Sequence, residues 1–102
     1  MLEQREAADG STVIGVHGDL DFDSHVDLEL ALVQALDAGA GPIVVDLAEV
    51  PFLDSSGVRV LLSTRERAQA RNTSVTVRNP QPVVERVLRL TGVAEMLGLP
   101  EL

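Results

Sequence analysis

An α/β domain with parallel crossovers is the fold class this sequence predicts, and three observations point to it. Short apolar or alternating runs suited to strands take turns with longer segments of helical periodicity. The connections between them are short and carry Gly, Pro, Asn or Asp. At 102 residues the chain has room for one core, given the usual about 100–200 residues per domain. We expect one domain over residues 1–102: a mixed four- to five-stranded sheet packed by about four helices, with right-handed crossovers.

The elements follow in order. Glu3 to Ala7 reads as a short strand, joined through the turn pair Asp9-Gly10 to a β-branched strand over Thr12 to Gly18. Ser24 with Asp27 three residues on resembles a capping box. Leu28, Ala31, Leu32, Ala35 and Leu36 then fall on one helical stripe, stopped by Gly39, Gly41 and Pro42. Ile43-Val44-Val45 is apolar without alternation, which suits a strand covered on both faces. Leu47 to Leu53, with Pro51, reads as a linker. A second helix follows Asp54-Ser55-Ser56-Gly57, with Val58, Leu61, Leu62, Arg65 and Ala68 on one face and Asn72 at its C-terminal end. Ser74 to Arg78 alternates as a strand. Asn79-Pro80-Gln81-Pro82 opens a third helix, closed by Gly92. The apolar tail from Val93 to Leu102 is expected to dock as a short helix or along the sheet edge.

Composition removes several function classes. Hydrophobic residues make up 45% but aromatics only 2%, so Ala, Val, Leu and Ile must fill the core, and surfaces for stacking bases are lacking. Sixteen acids against eight bases, all arginine, leave a net charge of −8 that repels nucleic acid and anionic membranes. Without cysteine there are no disulfides, thiol nucleophiles or Cys-ligated zinc. No metal or cofactor motif is present, and without lysine no phosphate loop. The polar N-terminus and the lack of a long apolar run fit a cytoplasmic protein. His17, on the outward parity of its strand, and His25, in a first helical turn, read as surface residues, so no imidazole base is evident for a serine nucleophile. No catalytic residue is expected.

Asp54-Ser55-Ser56-Gly57 joins a buried strand region to a helix start, where open α/β sheets place functional loops. Ser56 suits the N-cap, Gly57 permits close backbone approach, and Ser55 is then left with its hydroxyl available. On residue chemistry alone, the simpler reading is that Asp54 and both serines merely compete to cap the helix. A phosphate on Ser55 would add about −1.5 to −2 charge at a helix end that tolerates anions, and so would act on binding and not on folding.

Asp54-Ser55-Ser56-Gly57-Val58, following Val44-Val45-Asp46-Leu47, resembles the signature of the STAS domain, and within it the bacterial anti-sigma factor antagonists. Gly18-Asp19-Leu20-Asp21 is similar to the family's Gly-Glu-Leu-Asp, Ser24 to Leu28 to the start of its first helix, and Leu90-Thr91-Gly92-Val93 to its Leu-x-x-Thr-Gly-Leu. The resemblance implies a partner switch in transcription regulation and stress response. The unphosphorylated antagonist binds an anti-sigma factor serine kinase and frees the sigma factor. The kinase phosphorylates the first serine of the motif, here Ser55, and a serine phosphatase reverses it. It also implies that Asp21, Asp54, Ser56 and Gly57 belong to the partner face. Serine occurs at this place too in STAS accessory subunits of lipid-transport ATPase assemblies, the alternative reading. The family's further C-terminal helix is short or absent here, and His25 stands where a small residue is usual. The shortened end would leave Val93 to Leu99 to be covered, as in a homodimer.

Overall fold

Strand β2 (Thr12–His17) is the β-branched run that the sequence marks most clearly, and the sheet grows outward from it. The computed structural model describes residues 1–102. β1 (Leu2–Glu6) pairs with β2 antiparallel, while β3 (Ile43–Glu49) and β4 (Val75–Arg78) add in parallel, giving the order β1-β2-β3-β4. Each parallel step requires a crossover, supplied by α1 (His25–Asp37) and α2 (Ser55–Gln69). α3 (Pro82–Leu90) follows β4, with Pro82 in its first turn.

Ile14, Val16, Ile43, Val45, Leu47, Val75 and Val77 alternate along the strands and project into one core cluster. The helices complete it with Leu28, Leu32, Ala35 and Leu36 from α1, Val58, Val60, Leu61 and Ala68 from α2, and Val84 and Leu88 from α3. Neither phenylalanine takes part.

The structure corrects several expectations. The sheet has four strands, as expected, but the helices number three. No fourth helix forms after α3, because Gly92 and Gly98 both hold positive φ and break the tail into turns. Leu97 instead accepts a hydrogen bond from the Val77 N–H, so the tail closes on the edge strand β4, the second of the two placements expected for it. Val93, Ala94 and Leu97 are thereby buried within the chain, which leaves Met96 as the tail's strongly exposed apolar side chain before Leu102. β3 is covered fully on one face only: Ile43, Val45 and Leu47 are buried while Val44 and Asp46 are half-buried. It also runs on through Leu47 to Glu49, into the expected linker. On α2, Val60 and Thr64 are buried whereas Leu62 and Arg65 are half-buried. Arg65 reaches the Met96 carbonyl at 3.0 Å and helps anchor the tail. Asn72 holds φ +59° just beyond α2, the left-handed conformation expected at a helix exit.

Candidate functional site

Two loops meet at the ends of β2 and β3. Leu20 and Leu53 form an isolated parallel bridge, with the Leu20 N–H donating to the Phe52 carbonyl at 2.9 Å and the Asp54 N–H donating to the Leu20 carbonyl at 3.2 Å. Both leucines are buried, so the loops are tied by backbone bonds over apolar anchors. The start of α2 is set on this platform.

Asp54 caps that helix. Its Oδ1 accepts from the Ser56 N–H at 2.8 Å and the Gly57 N–H at 3.4 Å, and its Oδ2 accepts from the Phe22 N–H at 3.2 Å. One carboxylate thus satisfies two orphan helix donors and holds the opposite loop. This corrects the expectation that Ser56 is the cap: Ser56 lies one residue inside the helix and is half-buried. The acid takes the cap with its two oxygens divided between helix and loop. Ser55 is the first helical residue, exposed, and relieved of capping duty.

Gly57 is buried and shapes the site through packing. A Cβ there would lie 2.5 Å from Leu53 Cδ1 and 2.8 Å from the Leu20 carbonyl oxygen. The close approach read from the sequence is therefore to Leu20, across the joined loops.

Asp21 is half-buried and organises the loop before α1. Its Oδ1 accepts from the N–H groups of Asp23 (3.0 Å) and Ser24 (3.1 Å). Ser24 occupies the N-cap position but caps no helix donor, contrary to the capping-box expectation. Its hydroxyl donates to the Asp19 carbonyl at 2.6 Å and accepts from the Asp21 N–H at 3.0 Å. His25 Nδ1 sits 2.8 Å from the Phe22 carbonyl oxygen, and His17 Nε2 lies 3.2 Å from Glu3 Oε1. Both imidazoles are thus engaged by groups other than Ser55. The depression beside Ser55 is open, and Val58, Leu62, Arg59 and Thr91 are among the residues that line it. No group of three His, Asp or Glu side chains is placed to hold a metal ion.

The structure thus brings Asp54, Ser55, Ser56 and Gly57 together with the Asp21 loop. It adds residues that the sequence reading missed. Leu20 is the buried anchor, and Phe22 and Phe52 stand exposed on the two joined loops. A usable signal existed: the only two aromatics flank the Asp-Ser-Ser-Gly segment and the preceding turn, in stretches without strand or helix periodicity.

Fold and site together define a STAS-type domain. The family model described as Mlab, STAS domain, matches residues 3–99, and the chain belongs to the STAS domain family. It is similar to a STAS-domain containing protein of Pseudomonas aeruginosa (strain UCBPP-PA14), 30% identical over 94 residues that span 91% of this chain and 92% of that one. Among solved structures, an anti-sigma factor antagonist from Mycobacterium paratuberculosis superposes with a TM-score of 0.87 at 29% identity, covering 100% of this chain and 86% of its own. The anti-sigma factor antagonist SpoIIAA in its unphosphorylated form shares the fold, with a TM-score of 0.82 at 22% identity over 99% of this chain and 89% of that one. No helix is long and apolar enough to cross a membrane.

Proposed function

We propose that this domain is a cytoplasmic anti-sigma factor antagonist switched at Ser55. Unphosphorylated, it binds an anti-sigma factor serine kinase and releases the sigma factor. The kinase transfers the γ-phosphoryl group of ATP to Ser55 Oγ; the hydroxyl proton departs, ADP is left, and the antagonist dissociates. A serine phosphatase hydrolyses the phosphoserine and restores binding. The observation that carries this function is the exposed Ser55 at the first position of α2, with Asp54 holding the cap in its place. A dianion there meets the positive end of the helix dipole, so the scaffold tolerates it. The docking partner meets new charge beside Asp54. Similarity to an antagonist at 29% identity supports the same role.

The family model, whose description names no antagonist role, supports a second reading: a STAS accessory subunit of a lipid-transport ATPase assembly. One experiment separates the two. The protein is incubated with the kinase that co-purifies with Ser55→Ala and with ATP, and the modified residue is mapped by mass spectrometry. Phosphate on Ser55 with loss of the complex is expected. A stoichiometric complex with a transport ATPase and no phosphate transfer would favour the second reading.

A further inference from the structure

Helix α1 is apolar on two opposite faces. One face enters the core through Leu28, Leu32, Ala35 and Leu36. A helix at the surface of a small domain needs only one such face. Yet Val26 is 48% and Leu30 54% exposed, with Val33 half-buried on the same side. Phe22, 75% exposed, lies in the turn leading into the helix. The His25 N–H donates to the Asp21 carbonyl at 2.9 Å, so Phe22 continues the helical register one turn ahead of Val26. At about 100° per residue, Phe22, Val26, Leu30 and Val33 fall within an arc of about 80°, and Phe22 to Leu30 spans about 12 Å.

We propose that this ridge is a docking surface for the partner that reads Ser55, and that the matching partner surface is an apolar groove flanked by arginine or lysine. The inference rests on the antagonist function above and names the surface from which affinity comes. Two observations select the occupant. The first is charge. Asp23 and Asp27 border the ridge on one side and Glu29 on the other, and twelve of the sixteen acids precede Ser55 with Arg5 as the one base among them. A second copy docking ridge to ridge would set like charges together, and an anionic bilayer would be repelled. A basic-rimmed groove is complementary. The second is continuity. The Phe22 N–H is bonded to Asp54, the cap of the switch helix, and the loop that carries exposed Phe52 is bonded to Leu20. The ridge therefore starts where the switch is mounted and runs away from it along α1. Exposed aromatics at such a place are the usual anchors of an interface. The apolar ridge holds the partner, and the serine at its end decides whether it stays.

The test measures affinity for the co-purifying kinase with unphosphorylated protein. Leu30→Gln is expected to weaken binding about tenfold or more, while Leu30→Met stays near wild type, with thermal unfolding unchanged in both. Asp23→Asn with Asp27→Asn is expected to weaken binding at low salt and to have no effect at high salt. Hydrogen exchange at residues 22–33 should slow in the complex. Wild-type affinity for Leu30→Gln, or unchanged exchange at 22–33 while 52–59 is protected, overturns the ridge and leaves the antagonist function standing. A wild-type protein that binds no such kinase overturns both. Self-association abolished by Leu30→Gln, or uptake on phosphatidylglycerol vesicles, would assign the ridge to another occupant and overturn this one.

Discussion

Two helices of this domain begin at an aspartate-serine pair, and the two starts use those residues in opposite ways. Before α1, Ser24 is drawn into the loop, donating to the Asp19 carbonyl and accepting from the Asp21 N–H. Before α2, Asp54 takes the helix donors and the opposite loop, and Ser55 is pushed out to solvent. In each case a carboxylate collects the backbone donors. What differs is whether the serine is left with a local partner. A helix start leaves a serine hydroxyl available when its own structure has no further need of it.

The largest expected effect tests the platform under the second start. Gly57→Val would drive its side chain into Leu53 and the Leu20 carbonyl, where even the first carbon would lie at 2.5 to 2.8 Å. We expect a loss of about 3 kcal/mol in denaturant unfolding, together with weakened partner binding. Unchanged stability and binding would show that the two loops need not be joined. Next is the cap. Asp54→Ala removes two helix acceptor contacts and the tie to Phe22, and should cost about 1–2 kcal/mol. A neutral result would mean that Ser55 or Ser56 replaces it, and the asymmetry between the two starts would dissolve.

The two serines then sharpen the comparison directly. Ser24→Ala should cost about 1 kcal/mol, because the Asp21 N–H loses its acceptor within a part-buried loop. Ser55→Ala should stay within about 0.5 kcal/mol. Thermal melts of the pair would break the comparison if the order reversed.

A further small effect lies away from both starts and serves as a reference. Burial alone would push the Asp46 carboxyl up, but the Ala48 N–H and the Arg78 guanidinium, 3.0 Å away on the neighbouring strand, hold it below its ordinary value of 3.8. A group lowered in the folded state contributes stability that is complete above its unfolded pKa and lost as pH falls through the folded one. The difference in stability between wild type and Asp46→Asn should therefore be flat at neutral pH, below about 1 kcal/mol, and shrink on acidification below 3.8. A difference that grew on acidification would reverse the assigned sign.

Much of this architecture was legible because periodicity is a local property. The stripe Leu28, Leu32, Ala35, Leu36 and the alternation of Val75 and Val77 announced α1 and β4 without any tertiary information. The tail was legible only as two alternatives, because Val93, Met96 and Leu97 are apolar at helical spacing, while two glycines at positive φ and a backbone bond to Val77 decide for the sheet edge. The capping residue misled for a related reason. Three consecutive candidates stand at the start of α2, and only the neighbouring Phe22 loop, distant in sequence, favours the one with two oxygens. The exposed position of Ser55 at the helix start was legible through the motif. Leu20 was not, since its importance arises from pairing with Leu53 across more than thirty residues.

The most direct measurement of the central claim is the affinity of Ser55→Ala and Ser55→Asp for the kinase partner, side by side. We expect Ser55→Ala to bind as the unmodified protein does and to stay bound in the presence of ATP, and Ser55→Asp to bind markedly more weakly with the same melting temperature. Equal affinities for the two variants would contradict the switch.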